Sequence, residues 1–174
     1  MKEKLKAAIR DVQDFPKPGV LFKDITPLLK NQELCSYVND ELRGYCIGKH
    51  VQAVVGMESR GFFFGFLLAN SLKVPFIPIR KPGKLPFKTV SIDYELEYGS
   101  GKIEMNEDAI YPGCNVLIHD DLLATGGTAA AAAELITRQG GNIVGFSFVI
   151  ELGFLKGAEK LKLYSENIKS VITY

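Results

Sequence analysis

Hydrophobic positions along this chain switch between two periods. In "KEKLKAAIRDV", Leu5, Ala8, Ile9 and Val12 fall at helical spacing and predict an amphipathic helix ending before "DFPKPG", where two prolines forbid its continuation. A second helix is predicted around Leu34 to Tyr45. "VQAVVG" then reads as a short buried strand, "RGFFFGFLLANSL" as a helix and "VPFIPI" as another strand, which together make a βαβ unit. The pattern returns with "NVLIHD", an alanine-rich helix to about Gln139, a stop at Gly140 and Gly141, and the long apolar strand "NIVGFSFVIE". Nearly uniformly apolar strands alternating with helices predict an α/β fold, a mostly parallel central sheet covered on both faces. Phe62, Phe63, Phe64 and Phe66, inside the apolar helix, read as core packing.

Between the two units lies "RKPGKLPFKTVSIDYELEYGSGKIEMNEDAIYPG", polar and rich in Pro and Gly, with faint alternation near Val90 to Tyr94 and Lys102 to Met105. A connection that long inside a compact domain serves as a lid or binding loop, and residues 81–105 are expected to form a mobile lid hairpin.

Composition changes this picture little. With 174 residues, 47% of them hydrophobic, the chain can bury a full core as one domain, 1–174. Its 21 Lys and Arg nearly balance 20 Asp and Glu, so global charge gives no reason to expect nucleic acid or an anionic membrane as partner. The most apolar run, "GFFFGFLLA", is far short of the ~20 residues of a membrane helix, and the charged start shows no export segment. Cys35, Cys46 and Cys114 have no C-x-x-C spacing, which fits reduced thiols and a cytoplasmic setting.

The chemistry concentrates in "VLIHDDLLATGGT". Ligands of open parallel sheets bind beyond the carboxyl ends of the strands, where Asp120 and Asp121 are expected. Gly126 and Gly127 let backbone N–H groups converge at a helix N-terminus, and Thr125 and Thr128 add hydroxyls, so Ala124 to Thr128 reads as a socket for one phosphate. The loop has no lysine, which excludes the nucleoside-triphosphate motif G-x-x-x-x-G-K-[ST], and no G-x-G-x-x-G is present for a dinucleotide. Two carboxylates would repel a phosphate unless they face other groups, such as the 2- and 3-hydroxyls of a ribose. A ribose 5-phosphate is the ligand so implied. Acid pairs at strand ends also simply cap helices; the adjoining phosphate loop favours function.

These residues resemble the phosphoribosyl-pyrophosphate motif of the type I phosphoribosyltransferases, and "DFPKPGVLFKDITPLL", "ESRGFFFG", "IRKPGKLP" and "LEYG" are similar to the other marks of the family's adenine-specific members. The likeness runs from about Asp14 to Leu161 and departs from the usual pattern at His119, where an apolar residue is common. It implies the type I fold with a small hood from residues 1–33, and a reaction in which adenine and phosphoribosyl pyrophosphate give AMP and pyrophosphate in purine salvage. Mg²⁺ is implied as cofactor, bound mainly through substrate rather than by protein side chains, and a homodimer is implied as the assembly. The resemblance also assigns residues. Arg60, Lys81, Lys84 and Arg80 would meet pyrophosphate, Arg80 lent by a neighbouring subunit, with a cis peptide at Glu58–Ser59 aiming backbone N–H groups at the same group. Leu21 C=O and Lys23 N–H would read the adenine edge, with Phe22 and Leu122 on its two faces. Glu97 would assist proton movement on the purine, and Tyr98 would help close the lid.

Two rival readings stand beside this one. A 6-oxopurine enzyme of the same fold would place a lysine downstream of the phosphate motif, and "NIVGFSFVIEL" has none. A regulator that only senses phosphoribosyl pyrophosphate would carry an added DNA-binding domain, for which neither length nor charge leaves room.

Overall fold

In the computed structural model, which describes residues 1–95 and 100–174, the elements follow in the order α1 (Lys2–Ala7), β1 (Arg10–Gln13), β2 (Leu21–Asp24), α2 (Thr26–Leu29), α3 (Gln32–Tyr45), β3 (Ala53–Met57), α4 (Gly61–Leu72), β4 (Phe76–Ile79), β5 (Thr89–Glu95), β6 (Ser100–Asn106), β7 (Asn115–Leu123), α5 (Gly127–Arg138), β8 (Asn142–Glu151), α6 (Gly157–Leu161) and β9 (Ile168–Thr173). Five strands form a wholly parallel sheet in the order β4-β3-β7-β8-β9. After β3 the chain crosses outward to β4; after β7 it crosses the other way, to β8. The carboxyl ends of β3 and β7 therefore border a topological switch point, the place where such sheets open a crevice for ligands.

Each face of the sheet has its own core. On one side Val55, Ile118, Phe146 and Phe148 pack with α5 residues Ala132 and Ile136 and with Ile103 and Met105 of β6. On the other, Val54, Leu117 and Val149 pack with α3, α4 and the N-terminal Leu5 and Leu28. Helix α3 follows its sequence pattern closely: Leu34, Val38 and Leu42 are buried at one-turn spacing, and the Asn31 side chain caps the start by accepting from Leu34 N–H at 3.1 Å.

Several expectations are corrected. The first helix stops at Ala7, because Arg10–Gln13 instead pairs antiparallel with Leu21–Asp24. That pairing is non-local and leaves no trace in helical periodicity. It makes a separate two-stranded unit at the N-terminus, joined to the main body through Ile25 and Leu28. Of the aromatic run, Phe64 alone is fully buried, whereas Phe63 and Phe66 are 53% and 62% exposed, since a helix apolar all round cannot turn every side to one sheet. The hairpin expected within residues 81–105 does form: β5 and β6 pair antiparallel over seven residues each, and Ile92, Ile103 and Met105 are buried against the core. Strand β9, with polar Lys169, Ser170 and Thr173 breaking any regular alternation, had no signal in the sequence pattern.

Candidate active site

The loop expected to hold a phosphate encloses a small cavity. Gly126 takes φ +77 as the cap of α5, a left-handed conformation that favours glycine. Ala124, Thr125, Gly126, Gly127 and Thr128 line one cavity of about 80 Å³ together with Asp120, Leu122 and Phe148. A water needs about 10–15 Å³ of such space, so the cavity suits one small polyatomic group. The loop is clamped from outside: a Cβ on Gly157 would lie 2.2 Å from the Ala124 carbonyl oxygen, and one on Gly126 would lie 2.5 Å from the Gly157 carbonyl oxygen. Only a glycine-to-glycine contact permits that approach. Thr128 Oγ1 lies 3.4 Å from the Tyr94 hydroxyl, linking the socket to β5.

The acid pair lies within β7 rather than beyond it, and its two members do different things. Asp120 lines the cavity and accepts from the Asp121 N–H at 2.8 Å. A Cβ on Gly61 would fall 2.7 Å from Asp120 Oδ1, so glycine at the start of α4 leaves room for this carboxylate. Asp121 is buried and pairs with Arg60, Nε to Oδ2 at 3.0 Å. Burial pushes the Asp120 carboxyl well above its ordinary range, and the neighbouring Asp121 charge adds to it; burial also raises Asp121, with Arg60 opposing. A site that confines two carboxylates so closely is poised for hydroxyl donors or a cation, which relieve both effects.

Arg60 joins this centre to the N-terminal unit. Its Nη1 donates to the Lys23 carbonyl at 3.2 Å and its guanidinium lies 4.5 Å from the Phe22 ring centroid. In an antiparallel pair, alternate residues turn their backbone groups toward the partner strand and away from it. Arg60 takes the Lys23 carbonyl, which fits an outward set on β2 made of Leu21 and Lys23. Leu21 C=O and Lys23 N–H thus stand two residues apart along β2, flanked by the Phe22 ring, which meets Phe15 edge-on at 5.0 Å.

Beyond the end of β3, the Glu58–Ser59 peptide is cis. The Glu58 carboxylate accepts from the Lys81 N–H at 2.8 Å and pairs with Arg80 at 3.3 Å. Burial alone would raise its pKa, but the Lys81 amide bond and Arg80 outweigh it, and the net shift is downward. Arg80 also donates to the Lys84 carbonyl at 3.1 Å, and Gly83 N–H donates to Glu104 at 3.1 Å. The turn carrying Lys81 and Lys84 is therefore tied down by its backbone while both side chains remain exposed. Lys88 instead pairs with Glu107 at 3.9 Å. Ser59 is exposed before α4. Glu97 and Tyr98 lie outside the described residues. Among the described residues no group of three or more His, Cys, Asp or Glu side chains is arranged to hold a metal ion.

Comparison with known proteins places this geometry. The model of the phosphoribosyl transferase domain matches residues 28–173. An adenine phosphoribosyltransferase of Cytophaga hutchinsonii is 50% identical over 174 residues, covering 100% of this chain and 96% of the relative. The crystal structure of adenine phosphoribosyltransferase from Thermoanaerobacter pseudethanolicus superposes with a TM-score of 0.96 at 45% identity, each chain fully covered. That of the Saccharomyces cerevisiae enzyme, complexed with an imino-altritol bisphosphate and adenine, gives 0.90 at 40% identity, covering 98% of this chain and 97% of the other. The chain belongs to the adenine phosphoribosyltransferase family.

As a member of that family it divides at residue 28: the general domain model begins after β2, whereas the adenine phosphoribosyltransferases match through the N-terminal unit as well. Three residues that pack against these segments were missed by sequence reasoning. Gly157, which clamps the socket, lies 31 positions beyond Gly126, and only a glycine in "LKGAE" hinted at it. Tyr94 sits in the faintly alternating strand. Tyr174, whose ring lies under Lys23, gave no signal. His119 is fully buried, its Nδ1 2.9 Å from Ser147 Oγ on the neighbouring strand, and burial lowers its pKa to about 3, so it is neutral and structural; its Nε2 has no partner among the described residues.

Proposed function

We propose that this chain transfers the 5-phosphoribosyl group from phosphoribosyl pyrophosphate to adenine, giving AMP and pyrophosphate in purine salvage. The observation that supports it most directly is the juxtaposition, through Arg60, of a one-phosphate socket and a strand edge offering one acceptor and one donor two residues apart. In this reading the 5-phosphate sits in Ala124–Thr128 on converging N–H groups and the α5 dipole. The ribose hydroxyls meet Asp120 and Asp121. Departure of pyrophosphate leaves positive charge on the ribose, so Arg60, Lys81, Lys84, Arg80 and the Ser59 backbone neutralise the leaving group, while Glu58 positions the loop that carries the lysines. Mg²⁺, bound chiefly to substrate oxygens and water, would supply further neutralisation there, with Asp120 as the carboxylate lining the cavity. Adenine donates from N6 to Leu21 C=O and accepts at N1 from Lys23 N–H, between Phe22 and Leu122. Glu97 assists the proton on the purine, and residues 81–105, with Tyr98, close over the site and exclude water.

The same reading takes the protein to be a cytoplasmic homodimer acting on small molecules, with no nucleic-acid or membrane partner. The exposed faces of Phe63 and Phe66, the latter packed edge-on against Phe76 at 5.9 Å, form the apolar patch that a second copy would cover. Free thiols at Cys35, Cys46 and Cys114 suit a reducing compartment. Among the described residues no helix is long and apolar enough to cross a membrane.

The test is product analysis with phosphoribosyl pyrophosphate, Mg²⁺ and adenine, hypoxanthine, guanine and xanthine offered together. AMP should dominate, because a 6-oxopurine is protonated at N1 and sets donor against donor at Lys23, a mismatch worth about 10⁴-fold. Comparable amounts of inosine monophosphate would overturn the assignment.

A further inference from the structure

The base-reading strand is held from two sides, and only one belongs to the site described above. Arg60 takes the carbonyl of Lys23. The side chain of the same lysine runs the other way and is 7% exposed, with its Nζ 2.6 Å from Asp11 Oδ1 on β1 and 3.9 Å from the ring centroid of Tyr174. Lys6 of α1 approaches the same ring at 5.3 Å. Tyr174 is itself fixed by its backbone: its N–H donates to the Glu151 carbonyl at 2.9 Å, and its carbonyl accepts from Gly153 N–H at 3.0 Å. Glu151 ends β8 and Gly153 lies just beyond it, and the Leu152 N–H between them donates to the Leu123 carbonyl of β7 at 2.9 Å. The Tyr174 ring is thus referenced to the segment that, at Gly157, clamps the phosphate loop.

We propose that Tyr174 is a positioning residue for the purine base. It sets the height of β2 above the sheet by holding the Lys23 ammonium against its ring, and so fixes the distance between the Leu21–Lys23 edge and the phosphate socket. A lysine that buried requires an anion and a polarisable face, and Asp11 and Tyr174 supply one each. Asp11 belongs to the same hairpin as Lys23, so it cannot reference the hairpin to the sheet; Tyr174 can. The inference rests on the adenine reading of β2, which the unaltered chain tests by itself, so a failure confined to the variants bears on Tyr174 alone.

The experiment is steady-state kinetics on the full chain, varying adenine and phosphoribosyl pyrophosphate separately, with thermal unfolding measured alongside. Tyr174→Leu removes the ring and should raise KM for adenine about tenfold, the scale of a desolvated cation–ring contact, with KM for phosphoribosyl pyrophosphate and kcat within about twofold. Tyr174→Phe keeps the ring and should restore the adenine KM. Lys23→Met, which keeps the backbone N–H, should give the same adenine-specific rise, and combining it with Tyr174→Leu should add little, as expected of two residues acting through one contact. A general loss of structure would raise both Michaelis constants together. An unchanged adenine KM in Tyr174→Leu, a parallel rise for both substrates, full additivity with Lys23→Met, or failure of phenylalanine to rescue would each overturn the proposal.

Discussion

The Ala124–Thr128 loop and the β1–β2 hairpin stand at the same end of the sheet but are built by different forces. The socket is steric: two glycines touch backbone to backbone, and an added methyl at Gly157 would meet the Ala124 oxygen at 2.2 Å. The hairpin is electrostatic and aromatic: Arg60 on the Lys23 carbonyl, Asp11 on its ammonium, and rings at Phe22 and Tyr174. A steric site has one geometry and fails abruptly. A site held by charges and ring faces yields by degrees. The difference suits the two tasks proposed for them, since a phosphate asks for a fixed ring of donors, whereas a flat base is admitted between surfaces that must part and close.

The largest effect should come from breaking the steric region. Gly157→Ala must displace the phosphate loop, and a shift on the order of 1 Å costs about 10²-fold or more, so kcat/KM for phosphoribosyl pyrophosphate should fall by at least that factor while the adenine KM changes little. Equal loss for both substrates would mean that socket and hairpin are not separable.

Next comes the acid pair. Asp120→Asn should lower turnover about 10²-fold and at the same time stabilise the fold by about 1 kcal/mol near neutral pH. The sign follows from the raised pKa: from its ordinary value of 3.8 upward, ionising this half-buried group is harder in the folded chain than in the unfolded one, so the carboxylate costs stability that asparagine does not. The gain should grow as pH rises through the folded pKa and vanish below about 3.8, where both states are protonated. Melting temperatures of the two chains across pH check it; a variant less stable at pH 7 would contradict it.

A comparable or somewhat smaller effect separates two lysines of one segment. Lys84→Ala should reduce turnover roughly 10- to 100-fold, on the scale of a charge-assisted contact with the leaving group. Lys88→Ala, which loses only an exposed pair with Glu107, should be nearly silent. Equal kinetic effects would show that neither cation meets pyrophosphate.

The smallest effect belongs to the aromatic side. Phe22→Leu keeps apolar bulk but loses the ring face, and should raise the adenine KM about tenfold or less with no change for phosphoribosyl pyrophosphate.

How much of this was legible in the sequence follows the same division. Asp120 to Thr128 is one contiguous stretch, so local rules of strand end, glycine turn and helix start sufficed to group its residues, and all five loop residues line one cavity. The hairpin depends on pairing Arg10–Gln13 with Leu21–Asp24, and local periodicity read the first of those segments as helix. Leu21 and Lys23 could be named only through resemblance. Gly157 and Tyr174 act on residues far away in sequence, and a single chain holds no mark of such contacts. Asp120 and Asp121 read alike in the sequence, but Asp121 also pairs with Arg60 from the start of α4, a contact that two adjacent letters cannot express.

The most direct test of the account is a crystal structure of this chain with AMP bound. The account predicts the 5-phosphate within hydrogen-bond distance of the Ala124–Thr128 backbone, adenine N6 on the Leu21 carbonyl, N1 on the Lys23 N–H, and the Phe22 ring against the base. A phosphate outside that loop, or a base that leaves the Leu21–Lys23 edge untouched, would contradict it.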